Sequence, residues 1–299
     1  MIVAVTGSTG LIGSALVRRL AEQGHQVHAF TRRPEVRFAR PEVRAFVWDP
    51  MQGQPPEEAL AGVHGIVHLA GEPVAQRWNP EVKARIRDSR VVGTRYLVQA
   101  LSTLSPRPAV LVSASAVGYY GDRGDETLTE DAPPGRGFLP KVCIEWEREA
   151  TLAEALGMRV VLPRIGVVLA SGGGALERMV PIFKFGLGGP IGSGKQWMPW
   201  IHLDDIVGLL IYALENPLSG PVNAAAPAPA TNAAFTRALA MALHRPAFLP
   251  VPPFAVKAVF GEMSRIVLAS QKVIPKAALD SGYTFRHPAL DAAMASVFP

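Results

Sequence analysis

Met1-Ile2-Val3-Ala4-Val5-Thr6-Gly7-Ser8-Thr9-Gly10-Leu11-Ile12-Gly13 opens the chain, and its reading decides the fold. Ile2 to Val5 are uncharged and mostly β-branched, the composition of a strand buried on both faces of a parallel sheet. Three glycines follow at the spacing G-x-x-G-x-x-G. Leu16, Leu20 and Ala21 then share one helical face, with Arg18, Arg19 and Glu22 elsewhere, and Gly24 stops the helix. The order is strand, glycine turn, helix. Such a turn lets backbone approach a pyrophosphate, and the helix N-terminus offers free N–H groups and the positive end of a dipole. Gly7, Ser8, Thr9, Gly10, Leu11, Ile12 and Gly13 are therefore the candidate cradle of a dinucleotide. The alternative is a tight strand-to-helix turn with no ligand.

The 299 residues, 48% hydrophobic, are enough to bury a full core in one large domain or two closely packed ones. No apolar run has the length of a membrane span, and no basic, apolar leader precedes the first strand. A cytoplasmic protein with no membrane partner is expected. Cys143 is the one cysteine, so no internal disulfide forms and no cysteine cluster offers a zinc site; no metal is expected. The net charge is +5, but Lys and Arg are scattered without a run of five, which argues against a nucleic-acid partner. An anionic small molecule needs only a few local positive charges.

Gln26 to Thr31 reads as the second strand and ends in Arg32-Arg33. In a nucleotide fold of this kind an acid at that point binds the 2′-hydroxyl of NAD. Thr31, Arg32 and Arg33 stand there instead, and two guanidinium groups suit a 2′-phosphate by charge and fork geometry. The expected cofactor is NADP(H); the alternative is a pair of solvated strand-end arginines. Val43 to Trp48 reads as a third strand, after which Asp49 either meets an adenine edge or caps a turn. Gly65 to Leu69 is the fourth. Leu69, Ala70 and Gly71 at its end pass close to the cofactor, and His68 is read as packed within the strand.

Pro80 to Leu104 predicts a long helix, from whose inner side Arg90 could reach cofactor phosphates. Ala109 to Ser113 is the fifth strand. Ligands of open α/β sheets sit outside the carboxyl ends of strands, and here the chain reads Ser113-Ala114-Ser115-Ala116-Val117-Gly118-Tyr119-Tyr120-Gly121. Its serines and tyrosines could bind or protonate a carbonyl oxygen, or form a hydroxyl-rich loop that caps its own backbone. A helix over 142–156, with Trp146 and Leu152 inward, leads to a sixth strand over 158–163. This alternation predicts a Rossmann-type α/β fold, a doubly wound parallel sheet with right-handed crossovers.

A smaller, mainly helical C-terminal substrate domain is expected beside it. Residues 1–165 form the cofactor domain, with 203–224 returning to it, and residues 166–202 and 225–299 form the substrate domain. An amphipathic helix beginning at Gly172 to Ala175 turns Leu176, Met179, Val180, Ile182, Phe183 and Phe185 inward. Trp197 and Trp200 read as packing anchors or a pocket wall. Asp204-Asp205 before Ile206-Val207 predicts a helix N-cap; with His202 it also suggests an acid/base dyad or metal ligands.

Several of these motifs together resemble the extended short-chain dehydrogenases/reductases, which include NAD(P)-dependent nucleotide-sugar epimerases. They are Thr6 to Gly13, Leu69-Ala70-Gly71, the serine-rich end of strand five, Pro163-Arg164-Ile165-Gly166, Trp200-Ile201-His202-Leu203-Asp204-Asp205 and Val222-Asn223-Ala224. Further markers run from Arg77-Trp78-Asn79 through Gly186 to Gly194 and Ala269 to Pro275. They are similar to an atypical branch, the YfcH-like epimerase family proteins, over essentially the whole chain. The resemblance implies an NADP(H) cofactor, a catalytic serine matching Ser115 (or Ser113), and cofactor contacts for Ser113, Lys141, Pro163 and Ile165. It departs at one point. Extended members carry Tyr-x-x-x-Lys, but Gly137 stands four before Lys141 and Leu139 four before Cys143. Two functions stay open. One is an oxidoreductase or epimerase-like enzyme on a small molecule, nucleotide-linked or not, its proton coming from Ser115, Tyr119, Tyr120 or water. The other is a non-catalytic NADP(H) sensor or assembly factor. Either is expected as a monomer or homodimer.

Overall fold

In the computed structural model, which describes residues 1–298, Ile2–Thr6 forms β1 at the middle of an eight-stranded parallel sheet. Helix α1 (Leu11–Glu22) leads to β2 (Gln26–Thr31), β3 (Val43–Val47) and β4 (Gly65–His68). Helix α2 (Pro80–Ser102), β5 (Val110–Ser113), α3 (Phe138–Thr151) and β6 (Arg159–Ile165) follow. Beyond these come α4 (Gly174–Lys184), α5 (Leu203–Glu215), β7 (Gly220–Ala224), α6 (Asn232–Ala242), α7 (Pro253–Phe260) and α8 (Leu290–Val297). The strand order is β7-β6-β5-β4-β1-β2-β3, with Ser115–Ala116 as a short eighth strand on β6. The order reverses beside β1, so the cleft above β1 and β4 is where such a sheet takes its ligand.

Alternation along the strands builds two cores. Val3 and Val5 of β1, Val67 of β4, Val110 and Val112 of β5 and Val161 of β6 face α1 and α5. Ala4, Ile66, Leu111, Val160 and Leu162 face the opposite way, onto α2 and the 152–156 turn. Pro163 lies inside β6 although it has no N–H to donate. It falls between the β5 pairing, which ends at Val161, and the Ser115–Ala116 pairing, which begins at Arg164. A third core gathers Leu169, Leu176, Phe183, Trp200, Phe235, Leu239 and Met294 from α4, α6, α8 and their connections. Among the described residues, no helix is long and apolar enough to cross a membrane.

Three local expectations are corrected. The helix expected over 142–156 begins earlier, at Phe138, and its last turn tightens into Leu152–Leu156, which swings Leu152 out to 54% exposure. Of the residues expected on the inner face of α4, Leu176 and Phe183 are buried, but Ile182 and Phe185 are exposed. The helix entering at 203 is capped by His202, whose Nδ1 accepts from the Asp204 N–H at 3.0 Å, and not by either aspartate.

Candidate functional site

The glycine turn closes on itself. Gly7 has φ +64°, and the Gly10 N–H donates to its carbonyl at 2.9 Å. A Cβ on Gly13 would stand 2.1 Å from the Gly7 carbonyl oxygen, and one on Gly7 would stand 2.8 Å from the Leu69 carbonyl. Both positions therefore need glycine for the turn to pack against the end of β4. Gly10 caps α1 without a side-chain bond, and no acid lies in the first turn. The N-terminus of α1 thus keeps free N–H groups and an uncompensated dipole, the chemistry that holds a pyrophosphate. Leu11 and Ile12 are half-buried and Thr9 is exposed beside them. Ser8 is buried, and its hydroxyl donates to the Phe30 carbonyl at 2.7 Å, so its side chain joins β1 to β2.

Thr6 braces the second wall. Its Oγ1 accepts the N–H groups of Leu69 and Ala70 at 3.0 and 3.2 Å and lies 2.7 Å from His68 Nδ1. With both acceptor positions filled, the Thr6 proton goes to Nδ1. This assigns the imidazole proton to Nε2, which faces Thr94 Oγ1 at 3.1 Å. His68 is fully buried, and burial pushes its pKa down to about 4, consistent with this neutral form. Arg90 lies beneath the same loop. Its Nη1 donates to the carbonyls of Glu72 at 2.9 Å and Ile86 at 3.1 Å, and its guanidinium packs on Gly71 and over the Trp146 ring. Burial lowers its pKa. With Nη1 committed to backbone, Arg90 braces the loop.

At the end of β2 the buried Thr31 hydroxyl accepts the Arg33 N–H at 3.1 Å and turns the chain outward. Arg32 and Arg33 are both exposed, and among the described residues neither side chain has a hydrogen-bond or ion-pair partner. Asp49 accepts from the Met51 N–H and Gln52 Nε2, both at 3.0 Å, and so closes a turn.

Beyond β5 a buried network takes over. Ser115 Oγ donates to Glu147 Oε1 at 2.6 Å. Glu147 accepts Arg164 through two parallel bonds of 2.9 Å. Arg164 Nη1 donates to the Tyr120 oxygen at 3.0 Å and the Glu130 carbonyl at 3.1 Å, while the Tyr120 O–H donates to Asn223 Oδ1 at 2.6 Å. The Arg164 guanidinium lies 3.5 Å from the Tyr119 ring centroid. Burial opposes the charge on Arg164, but the Glu147 and Tyr120 partners outweigh it and raise its pKa. Burial pushes the Tyr120 phenol up to about 12. The Tyr120 proton is thus held by Asn223 inside the network. Tyr119 is half-buried, and among the described residues its hydroxyl has no partner.

The positions expected to carry Tyr and Lys are filled differently. Leu139 and Cys143, one turn apart on α3, pack under Gly118. The Cys143 thiol is buried, donates weakly to the Ala116 carbonyl at 3.8 Å, and is pushed up to about 12, first by burial and then by Glu147. It is neither a cation nor a nucleophile at neutral pH. Lys141 is exposed on the outer side of the same turn. Ser113 is buried at the end of β5; its hydroxyl and the Trp146 Nε1 are the buried side-chain polar atoms without a partner among the described residues. Ile165 packs with Leu69 against Trp146 and Ala114.

Thr6, Glu147, Arg164 and Asn223 were not anticipated as site residues. A hydroxyl ending an apolar strand was the available signal for Thr6, and an acid on the buried face of α3 between Trp146 and Ala150 was the signal for Glu147. At the far side of α5, Asp205 is buried and accepts the N–H groups of Arg286 and His287 at 2.6 and 3.0 Å, which staples the C-terminal segment down. His202, Asp204 and His287 form the one group of potential metal ligands close enough together among the described residues. The His202 Nδ1 lone pair is engaged by the helix cap, Nε2 lies 3.3 Å from Ser296 Oγ, and the two imidazoles stack at 3.8 Å. This arrangement closes the N-terminal end of α5.

Residues 3–225 match the family described as NAD dependent epimerase/dehydratase, and residues 251–297 match a domain of unknown function, DUF1731. The chain is 42% identical over 293 residues to the Arabidopsis thaliana protein named epimerase family protein SDR39U1 homolog, chloroplastic, covering 96% of this chain and 84% of that one. It is 37% identical over 299 residues to the Bacillus subtilis epimerase family protein YfhF, covering 99% and 98%. The crystal structure of human epimerase family protein SDR39U1 (isoform 2) with NADPH is similar to it with a TM-score of 0.89 and 38% identity over 99% of each chain.

Proposed function

The chain belongs to the NAD dependent epimerase/dehydratase family, and from that premise we propose that it binds NADP(H) along the glycine cradle and acts as an oxidoreductase or epimerase-like enzyme on a small molecule. The observation that carries this reading is the pair Arg32 and Arg33. Among the described residues both guanidinium groups are unpartnered at the end of β2, beside a cradle whose Gly13 admits no Cβ. The uncapped N-terminus of α1 fits the pyrophosphate, and the two arginines fit a 2′-phosphate. The human relative's crystal structure with NADPH supports the same choice. When bound, NADP(H) supplies the hydride. The chain's own residues bind, orient and exclude water. Ser115, its proton on Glu147, presents lone pairs that would orient a substrate hydroxyl. Tyr119, or water, would move the proton.

The substrate side is proposed to come from residues 166–202 and 225–298, and the location to be cytoplasmic. NADPH should bind at least tenfold tighter than NADH, about 1.4 kcal/mol or more. Arg32→Ala with Arg33→Ala should erase the difference. Equal affinities in the native chain would refute the role given to the arginines. A carbonyl and nucleotide-sugar screen should then reveal cofactor oxidation that Ser115→Ala slows.

A second reading, a non-catalytic NADP(H)-binding sensor or assembly factor, is supported by Leu139 and Cys143 standing where a tyrosine and a lysine would carry acid/base chemistry. It expects no turnover, and an oligomeric state or partner affinity that changes with NADPH. Indifference of both to NADPH would remove it.

A further inference from the structure

The C-terminal half carries a surface with an unusual combination of chemistry. From Arg178 to Leu203 and from Asn216 to Gly261 the chain has no Asp or Glu, yet it has Arg178, Lys184, Lys195, Arg237, Arg245 and Lys257. All six cations are exposed, and none has an acidic partner among the described residues. Between them stand large apolar side chains clear of the fold: Phe185 at 81% exposure, Phe254 at 74% and Phe248 at 73%, with Leu187 and Leu249 also exposed.

These residues are neighbours. The Leu187 N–H returns to the Ile182 carbonyl at 3.1 Å, which holds the Phe185-to-Leu187 turn against the end of α4. Arg245 Nε donates to the Lys184 carbonyl at 3.3 Å, so Arg245 sits beside Phe185. Gly189 lies directly on the Leu249 backbone, where a Cβ would stand 1.6 Å from the Leu249 oxygen. The Val251 N–H donates to Pro190 at 2.8 Å and the Gly192 N–H to Val251 at 2.9 Å, carrying the contact on to Pro253 and Phe254 at the start of α7. An open depression of about 800 Å³ adjoins Phe248 and is lined by Arg237, Met241, His244 and Arg245; it shares no residue with the glycine cradle.

We propose that this face docks on an anionic phospholipid bilayer, with Phe185, Phe248 and Phe254 entering the headgroup boundary and Lys184, Arg245 and Lys257 meeting the lipid phosphates. Apolar side chains flanked by Lys and Arg are the pattern of peripheral membrane contact, where buried apolar area and charge attraction add. Two other occupants fit less well. A second copy packed through a two-fold axis would set the cations against their own images, with no acid between to relieve them. A protein partner's interface core would be expected to lack lysine, whereas Lys184 is adjacent to Phe185, and Lys257 lies one turn from Phe254. The contact is peripheral and is independent of the cofactor reading. It revises the expectation that no membrane is a partner, an expectation that rested on the absence of an apolar run.

The test is co-sedimentation of the full chain with phosphatidylcholine vesicles, pure or containing about 30% phosphatidylserine or phosphatidylglycerol. Binding is expected to the anionic vesicles, to weaken with salt, and to be at least about tenfold weaker on neutral ones. Lys184→Gln/Arg245→Gln/Lys257→Gln should lower partitioning about a hundredfold, each cation near such a surface counting for roughly fivefold. Phe185→Ser/Phe248→Ser/Phe254→Ser should abolish stable binding. The three phenylalanines are too exposed to hold the fold, so unchanged NADPH affinity and thermal midpoint in this variant separate a docking defect from misfolding. Equal binding to neutral and anionic vesicles, or none to either, overturns the proposal. So does a concentration-dependent dimer that the Phe→Ser variant abolishes, since the face then belongs to a second copy.

Discussion

Acidification should act on the cofactor cradle through one residue, His68. Its imidazole is fully buried between Thr6 and Thr94, with the Trp48 ring nearby, and its pKa lies at about 4 against an ordinary 6.5. The unfolded chain therefore takes up a proton at this residue as pH falls through 6.5, while the folded chain resists until about 4. In that window the unfolded state binds more protons, so stability rises with pH. The contribution is fully present above 6.5, falls away below it, and is gone below about 4. That span corresponds to about 3 kcal/mol, since each pH unit of separation is worth about 1.4 kcal/mol. Protonating Nδ1 also removes the acceptor of the Thr6 hydroxyl, and Thr6 is what holds the Leu69 and Ala70 N–H groups. Urea unfolding at several pH values between about 7.5 and 4.5 should show the wild type losing about 2–3 kcal/mol more than His68→Asn, which keeps an acceptor near Nδ1 but has nothing to titrate. NADPH affinity reads the folded chain, so the His68-dependent part of it should hold over this window and decline only as pH approaches about 4, in the wild type alone. Parallel stability profiles for the two proteins would show that His68 is not held neutral, and the account of the brace would fail.

Gly13→Ala should lower NADPH affinity more than tenfold and destabilise the fold by about 1–3 kcal/mol, because its Cβ would meet the Gly7 carbonyl at 2.1 Å; titration and thermal unfolding read both. Glu147→Ala leaves Arg164 charged and unpaired in the core, and denaturant unfolding should record a loss of about 3–5 kcal/mol. Asp205→Ala should free the C-terminal segment, detected as faster proteolysis around residues 283–298, with a stability loss of about 3 kcal/mol from two N–H groups left without their carboxylate.

The sheet was legible because its determinants are local and periodic. Val3, Ala4 and Val5 alternate between two cores, and that alternation is written in a few adjacent residues. The glycine turn was legible for the same reason, since Gly7 and Gly13 each answer a steric demand within the turn or at the next strand's end. Ends and faces were harder. Phe185 has the helical spacing of a core residue, but α4 stops at Lys184 and the chain turns at Gly186, which leaves the ring outside. The cap of α5 fell to His202 because Asp205 is drawn inward by N–H groups eighty residues later, a demand that no local window contains.

The candidate site is the least local part, and Ser115 shows why. Its place at the end of a strand could be read directly. The fate of its proton depends on Glu147, thirty-two residues away, which is itself held by Arg164 from a third element. The same network engages Tyr120, whose hydroxyl donates to Asn223 of β7. Ser115 is thus left to accept rather than donate, and Leu139 and Cys143 supply no acid or base. Of the four hydroxyls at this strand end, those of Ser113 and Tyr119 have no hydrogen-bond partner among the described residues, and the Arg164 guanidinium lies against the Tyr119 ring. The proposed reaction would therefore draw its proton from Tyr119, the less buried of these two hydroxyls, or from water.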